Sequence, residues 1–275
     1  MKFAVSIGLF TDSVAEQVAV CKQTGVQAVE LSLHGIPAER HCAYIAQCVE
    51  AFSGNGIEII SFHAPFYPGN ISMLDETGRQ TIVDHILRTA ECFGRHCPGK
   101  IVVVHPGELI DTQGDLPRHL AQIRKSLKEI FAVCDKYDLR VALENMRHGD
   151  DSPHENFKER IGENPEMLMA IIDAMGNERA GICFDTGHAN IAGDILKRLR
   201  SCAGKLLHTH ISDNQGVRDN HVMPEDGTIP WDGFAATLRE MNYQNPVTLE
   251  ITARKDKTAV ELIEESRRRL ARHFV

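Results

Sequence analysis

Residues 140–144 read RVALE and residues 181–185 read GICFD, two short apolar runs that each end on a carboxylate. Continuous Val, Ile and Leu residues, such as IVVV at 101–104, are typical of strands that are buried on both faces of a parallel sheet. Six runs of this kind end on a residue type that binds metals: IEIISFH (57–63), KIVVVH (100–105), RVALE (140–144), GICFD (181–185), KLLHTH (205–210) and PVTLE (246–250).

The alternation of short apolar runs with longer amphipathic stretches predicts one α/β domain over residues 1–275, a single (β/α)8 barrel. An open doubly wound sheet is the alternative. We prefer the barrel because no Gly-rich phosphate loop follows the first strand, and because only a closed ring brings the ends of strands three to eight together. The predicted strands are 3–8, 27–32, 57–63, 101–105, 140–144, 180–185, 205–211 and 246–251; the predicted helices are 13–24, 39–54, 78–96, 117–137, 165–175, 193–203, 231–242 and 258–273.

Local signals mark several element ends. Asp12 and Ser13 are suited to cap the first helix, Gly25 to end it, and Pro165 to occupy the first turn of a later one. The polar stretch Arg147–Asn164 is long for a connection, so we expect it to fold over the barrel mouth as an active-site loop.

The composition describes an ordinary globular protein, with 43% hydrophobic and 25% charged residues. A formal charge of −8 argues against dependence on nucleic acid, since proteins that bind it usually carry a basic surface. The N-terminus lacks a signal-peptide pattern, and no apolar stretch approaches the roughly 18 residues of a membrane helix. We expect a cytoplasmic protein that does not bind membranes, with homo-oligomerisation left open.

Eight scattered cysteines are expected to be reduced thiols: Cys21, Cys42, Cys48, Cys92, Cys97, Cys134, Cys183 and Cys202.

Four strand ends supply the central candidates for a metal site, namely Glu144, Asp185, His210 and Glu250. Each alone could be a strand-end residue bonded to a loop or an arginine. Together they would bury three carboxylates in one place, which is costly unless a cation lies between them. Oxygen-rich coordination with one nitrogen suits Mn²⁺, Mg²⁺, Co²⁺ or Zn²⁺, and the ligand types do not choose among these ions.

Further histidines and one aspartate lie at or beyond the same strand ends. His63 and His105 end neighbouring strands, where a histidine serves as a metal ligand, a substrate contact or a structural residue. His188 follows Asp185 after what looks like a glycine turn, while Asp219 and His221 form an Asp-x-His pair in a later loop. These five residues are candidates for additional metal ligands.

His208 and His210 are two residues apart on one strand, so their side chains share a face. His210 is nearer the C-terminal rim, and we assign the ligand role to it. His208 is left to the barrel interior or to a supporting hydrogen bond.

With these residues identified, nearly the whole chain resembles the xylose-isomerase-like barrel superfamily, which includes sugar isomerases and epimerases and the endonuclease IV type of apurinic-site nuclease. The motifs that carry the resemblance are SFHAPF, VVHPGE, ALEN, CFDTGHA, HTHISDN, the H-x-x-P-x-x-G-x-I-x-W turn from His221 to Trp231, and TLEI. In the isomerases and epimerases one divalent metal is held by residues that correspond to Glu144, Asp185, His210 and Glu250.

The nuclease pattern of nine ligands around three zinc ions also matches this chain, at His63, His105, Glu144, Asp185, His188, His210, Asp219, His221 and Glu250. Three departures favour the sugar-active relatives. The residues after His63 differ from the nuclease stretch that engages DNA, Gly187 replaces a cysteine, and Gln215 replaces a lysine that would face phosphate.

The resemblance implies a divalent-metal-dependent isomerase or epimerase of a sugar or sugar phosphate that abstracts a proton next to a carbonyl. Glu144 and Glu250 would remove and return the proton. Arg218 and the histidines His63, His105 and His188 would contact the substrate. The rival function is an apurinic-site phosphodiesterase, and a third is a sugar-binding barrel without catalysis.

Overall fold

The computed structural model describes residues 2–107, 109–111, 115–147 and 157–274. Its strands are β1 (Phe3–Ser6), β2 (Ala28–Ser32), β3 (Glu58–His63), β4 (Ile101–Val104), β5 (Leu109–Asp111), β6 (Arg140–Glu144), β7 (Phe157–Arg160), β8 (Ala180–Asp185), β9 (Leu206–Ile211) and β10 (Val247–Leu249). Eight of them close a barrel in the order β1-β10-β9-β8-β6-β4-β3-β2, and all eight paired neighbours are parallel. The predicted (β/α)8 barrel is therefore confirmed.

A small antiparallel sheet of β5 and β7 stands outside the barrel, with Leu109 opposite Arg160. This strand pair corrects the interpretation of Arg147–Asn164 as a loop throughout, while residues 148–156 of that stretch lie outside the described residues. The pairing is non-local, so no signal within the stretch itself predicts it.

The helices surround the barrel: α1 (Val14–Thr24), α2 (His41–Ser53), α3 (Glu76–His96), α4 (Leu116–Lys136), α5 (Pro165–Met175), α6 (Thr186–Ala192), α7 (Ile195–Ser201), α8 (Trp231–Glu240) and α9 (Ala259–Ala271). The predicted caps are confirmed. The Ser13 side chain accepts a hydrogen bond from the Glu16 amide at 3.4 Å, and Gly25 ends α1 in the left-handed conformation with φ 65°. Asn164 caps α5, whose first residue is Pro165.

Helix α6 is a feature that the sequence prediction missed. Asp185, the last residue of β8, caps this helix by accepting a hydrogen bond from the His188 amide at 2.7 Å. The presumed glycine turn before His188 is thus the first turn of a helix. The consequence is that one residue both ends a barrel strand and fixes the backbone that carries the next candidate ligand.

The cysteine prediction is wrong for one pair. Cys42 on α2 and Cys92 on α3 form a disulfide, with their Cα atoms 5.5 Å apart, within the range that a disulfide needs. Helices α2 and α3 pack side by side, and this brings together two residues that are 50 positions apart. The other six cysteines are free and buried.

Within the described residues no helix is long and apolar enough to cross a membrane.

Strand register decides which side chains point into the barrel. On β6, Val141 and Leu143 belong to the main core that packs against the helices, whereas Ala142 belongs to a separate interior cluster with Val103 and Cys183. Because side chains alternate along a strand, Arg140 and Glu144 share the inward face with Ala142. One strand therefore contributes an arginine at the N-terminal end of the barrel and a glutamate at the C-terminal end.

Candidate active site and metal-binding clusters

The four strand-end residues of the sequence prediction meet at the C-terminal mouth. Glu144, Asp185, His210 and Glu250 each place one potential ligand atom within 4.8 Å of the others. All four are buried, with at most 8% of the residue exposed. Residues separated by more than one hundred positions thus form one cluster, which we call the central cluster.

Glu144 connects the central cluster to the histidines of the neighbouring strands. Its Oε2 lies 3.3 Å from Nε2 of His63 and 3.2 Å from Nε2 of His105. Its Oε1 lies 3.4 Å from Nδ1 of His210, which in turn lies 3.2 Å from Oε2 of Glu250. His63, His105 and Glu144 form a second group with ligand-type geometry, which we call the β3–β4 cluster.

A third group, the loop cluster, consists of His188, Asp219 and His221. Oδ2 of Asp219 lies 3.1 Å from Nε2 of His188, and Oδ1 of the same carboxylate lies 3.1 Å from Nε2 of His221. Asp219 and His221, whose Asp-x-His spacing is a weak sequence signal, therefore lie together with His188 of α6.

Backbone hydrogen bonds fix the tautomers of three histidines. Nδ1 of His63 lies 3.0 Å from the Ala64 carbonyl, and Nδ1 of His188 and of His221 lies 2.8 Å from the carbonyls of Asn145 and Glu250. A carbonyl only accepts, so each Nδ1 carries the hydrogen and each neutral ring presents its Nε2 lone pair. Those lone pairs face carboxylates, an arrangement that is repulsive unless a proton or a metal ion lies between.

Orphaned buried atoms give an independent test of whether the residues fit a metal. Oε2 of Glu144, Oδ2 of Asp185, Nδ1 of His210 and Oε2 of Glu250 are buried without a hydrogen-bond partner among the residues that the structure describes. Buried polar atoms are normally paired, so these orphaned atoms form a set of donors that could hold a cation. The carboxylate and imidazole donors fit a divalent ion.

The charges of these groups follow from their neighbours. Burial would lower the pKa of His188, but Asp185 and Asp219 raise it to about 10. Burial would raise the pKa of Glu144, but His210 and His105 hold it well below its usual range. Burial raises the pKa of Glu250 to about 7. The two glutamates therefore differ in proton affinity.

Glu30 on β2 is a site residue that the sequence analysis missed. It is fully buried, and its Oε2 accepts hydrogen bonds from Nε2 of His208 at 2.9 Å and from the Ser61 hydroxyl at 2.8 Å. Its Oε1 lies 3.0 Å from Nε2 of His210. The prediction that His208 makes a supporting contact in the interior fits this layer. Oε1 of Glu30 and Nε2 of His210 form an ion-pair contact without hydrogen-bond geometry, and Nδ1 on the other side of the His210 ring faces the central cluster.

Asp213 organises the loop that carries Asp219 and His221. Its fully buried carboxylate accepts hydrogen bonds from the Trp231 indole at 2.9 Å and from the backbone amides of Asn214, Glu225 and Ile229. Gly227 is needed for this approach, because a Cβ there would lie 2.1 Å from Oδ1 of Asp213.

Gly187 is required by close packing in helix α6. A Cβ at this position would lie 2.6 Å from Oγ of Ser212. A cysteine, the residue in the nuclease pattern, would therefore require Ser212 to move. The departure at Gly187 is consequently tied to the close packing of Ser212 against this position.

A cavity of about 830 Å³ opens beside the clusters. His63 lies at its inner end, and the ring of Phe66 stacks on His105 with centroids 4.7 Å apart. Most of its lining is apolar, from the segments that follow β2 and β3, including Leu33, Ile36, Ala64, Pro65, Phe66 and Pro68. The volume suits a small organic substrate.

One predicted substrate contact, Arg218, directly precedes Asp219 in the chain, and its exposed side chain has no hydrogen-bond or ion-pair partner among the described residues. Arg147 occupies the mouth, with Nε 3.9 Å from Oδ2 of Asp219. Both arginines lie in loops, whose direction the sequence does not reveal. The roles of all these residues in binding or catalysis stay predictions.

Fold and site together define an α/β barrel with ligand-type residues clustered at its C-terminal mouth, the end at which barrel enzymes carry out their chemistry. The family described as xylose isomerase-like TIM barrel matches residues 18–273, and the chain belongs to that family.

Three comparisons illustrate the range of this family. A crystal structure of a D-tagatose 3-epimerase-like protein is 27% identical, with a TM-score of 0.82 over 99% of this chain and 98% of that one. An inosose isomerase of Bacillus velezensis is 22% identical over 88% of this chain and 85% of its own length. A probable endonuclease 4 of Staphylococcus carnosus is 29% identical over 73% of this chain and 69% of its own length.

Proposed function

We propose that the protein is a divalent-metal-dependent isomerase or epimerase of a small sugar or sugar phosphate. The observation that carries the proposal is the pair of glutamates at the mouth. Oε2 of Glu144 and Oε2 of Glu250 are both buried and without a hydrogen-bond partner in the described part of the chain, and each residue lies within 3.4 Å of Nδ1 of His210. The two carboxylates thus meet at one imidazole nitrogen, beside a cavity of small-molecule size. The similarity to an inosose isomerase and to a D-tagatose 3-epimerase-like protein supports this reaction class.

In the reaction that we propose, one glutamate removes a proton from the carbon next to the substrate carbonyl. The electron pair of the broken C–H bond forms a C=C bond, and the carbonyl π electrons move to oxygen, which gives an enediolate. Glu144 suits the base, since its neighbouring histidines favour the ionised form, and Glu250 suits the acid on the other face. His63, which lines the cavity, would contact the substrate end that occupies it, together with His105, which stacks on Phe66 of the lining.

A divalent ion held by Glu144, Asp185, His210 and Glu250 would supply a Lewis acid that stabilises negative charge on the substrate oxygens. The oriented histidines of the β3–β4 cluster and the loop cluster would hold further ions. The ion's identity among manganese, zinc, magnesium and cobalt is not set by these ligand types.

The proposal is tested by solvent exchange. Metal-loaded protein is incubated in D₂O with a panel of ketoses and ketose phosphates, and deuterium at the carbon next to the carbonyl is followed by NMR. We expect exchange with at least one compound and its loss in Glu144→Gln and Glu250→Gln, with metal content measured alongside. Glu264→Gln, at an exposed position on α9, is the matched control. Product formed without deuterium would contradict the acid–base roles.

A second candidate function is a metal-dependent phosphodiesterase that acts at abasic sites in DNA. The observation that favours it is the loop cluster, where Asp219 lies between two histidines whose Nε2 atoms both face it at 3.1 Å. The three clusters contain all nine residues of the nuclease pattern. A probable endonuclease 4 is also among the proteins to which the chain is similar. Clustered ions would activate water and bind the phosphate in such an enzyme.

Abasic-site duplex DNA at low salt separates the two candidates, because low salt maximises affinity for phosphates. Incision that is lost in Glu144→Gln, with no deuterium exchange in any sugar, would overturn the isomerase proposal in favour of the nuclease. A cytoplasmic location stays a prediction of the sequence, and homo-oligomerisation stays open.

A further inference from the structure

A second cavity, of about 520 Å³, lies at the N-terminal end of the barrel, opposite the mouth. We call it the basal cavity. Ala28, Ile60 and Ile101 line it from strands β2, β3 and β4, and Pro246 lines it just before β10. Between it and the mouth lies the buried layer of Glu30, Ser61 and His208. The basal cavity is therefore separate from the candidate active site.

Positive charge is concentrated in this cavity. Four cationic side chains line it, namely Lys2, Lys100, Arg140 and Arg267, and the only carboxylate in its lining, within the described residues, is that of Glu58. The whole chain carries a formal charge of −8, so this concentration runs against the overall balance. Such a lining attracts anions.

The cations are incompletely paired within the protein. Lys100 pairs with Glu58, and Arg267 donates to the Thr24 carbonyl, but Nε of Arg267 is buried without a partner in the part of the chain that the structure describes. The side chains of Lys2 and Arg140 have no hydrogen-bond or ion-pair partner among the described residues. Arg140 is half-buried and points along the inward face of β6. A partly desolvated guanidinium favours an anionic partner.

A neutral polar atom adds to this wall. His208 lines the basal cavity and is fully buried, and its Nδ1 has no hydrogen-bond partner among the described residues. Its Nε2 is taken by Glu30. Because Nε2 donates to Glu30, Nδ1 of the neutral ring is an uncommitted hydrogen-bond acceptor, which suits a hydroxyl group of a ligand and not its phosphate oxygens.

We propose that the basal cavity binds a small molecule that carries a phosphate group, either free phosphate or a phosphomonoester. The planar guanidinium groups of Arg140 and Arg267 match two oxygens of a phosphate, and Lys2 and Lys100 add point charges. The volume exceeds that of a phosphate ion and leaves room for an attached sugar-sized group. This site does not depend on the proposed isomerase function.

Calorimetry at low ionic strength tests the proposal, with inorganic phosphate and ribose 5-phosphate as the two probes. Protein as purified and protein stripped of metal are compared, because phosphate would also bind to a metal at the mouth. We expect binding in both preparations, weakened about ten-fold or more in Arg140→Gln, as for loss of a charged hydrogen bond. Lys2→Gln, at an exposed position where a folding defect is not expected, should also weaken it. Tighter binding of ribose 5-phosphate than of phosphate identifies a phosphomonoester as the ligand, and equal binding identifies free phosphate.

Arg268→Gln is the matched control, since this exposed residue is next to Arg267 on α9 but does not line the cavity. It should bind both probes as the unchanged protein does. Binding that disappears on metal removal, equal binding by Arg140→Gln, Lys2→Gln and Arg268→Gln, or no binding of either probe at millimolar concentration would each overturn the proposal.

Discussion

Oε1 of Glu30 lies 3.0 Å from Nε2 of His210, and neither side chain is exposed to solvent. The two atoms form an ion pair without hydrogen-bond geometry, and a carboxylate behind a histidine that faces a metal site favours one orientation of the ring. Here it leaves Nδ1 of His210 directed at Glu144 and Glu250.

Glu30→Gln should therefore weaken metal binding at the central cluster by about 10–100-fold, the usual effect of losing a residue that orients a metal ligand. Metal titration against a chelator of known affinity measures this, with the melting temperature followed in parallel. Ser61→Ala is the control, because Ser61 bonds to Glu30 but does not touch His210. Unchanged metal affinity in Glu30→Gln would show that the contact with Glu30 is not needed for His210 to bind the metal.

Metal binding should compete with protons at the loop cluster. The pKa of His188 is raised from 6.5 to about 10 by Asp185 and Asp219, against the effect of burial. A raised pKa gives the metal-free protein a stability contribution that is full below about pH 6.5 and is lost as pH rises through about 10.

A metal ion that replaces this proton removes that dependence, since the ligand must be deprotonated. The rise in melting temperature on adding metal should consequently grow between about pH 6.5 and pH 10. Thermal unfolding with and without metal across this range measures it, and calorimetry in buffers of different ionisation enthalpy counts the protons released. A metal-dependent rise that is constant with pH, without proton release, would contradict the assignment.

The sequence predicts the barrel and the central cluster because both depend on local patterns combined with one topological rule. Short apolar runs identify the strands, and a closed parallel barrel brings their C-terminal ends together. Glu144, Asp185, His210 and Glu250 could thus be placed near one another without a structure.

What the sequence did not reveal depends on contacts between distant segments. Nothing local pairs β5 with β7, joins Cys42 to Cys92, or shows that Glu30 reaches His208 and His210. Loop side chains are a further case, since the sequence does not show that the Arg147 side chain lies 3.9 Å from the Asp219 carboxylate. Helix α6 was missed because seven residues are too few for a periodic pattern.

The loop of Asp219 and His221 should depend on Asp213 for its conformation. Asp213→Ala leaves the Trp231 indole and three backbone amides without their acceptor, and each buried unsatisfied donor costs about 1–3 kcal/mol. We expect a loss of about 3 kcal/mol or more in the free energy of unfolding, measured by urea denaturation. Asp256→Ala, at an exposed carboxylate paired with Arg254, should cost about 1 kcal/mol or less. Equal losses in the two variants would show that the buried network does not stabilise the loop.

The number of metal ions should exceed one per chain. The loop cluster has its own carboxylate and two histidines, and backbone carbonyls hold both rings with Nε2 facing Asp219. His221→Ala should remove the ion of this cluster while the ion at the central cluster stays, because His221 is not one of the central ligands. Elemental analysis gives the number of ions, and anomalous scattering locates those that remain. Asn220→Ala is the control, since Asn220 is exposed and neighbours both ligands without belonging to the cluster. One ion per chain in the unchanged protein, held by the central cluster, would instead assign His188, Asp219 and His221 to substrate binding.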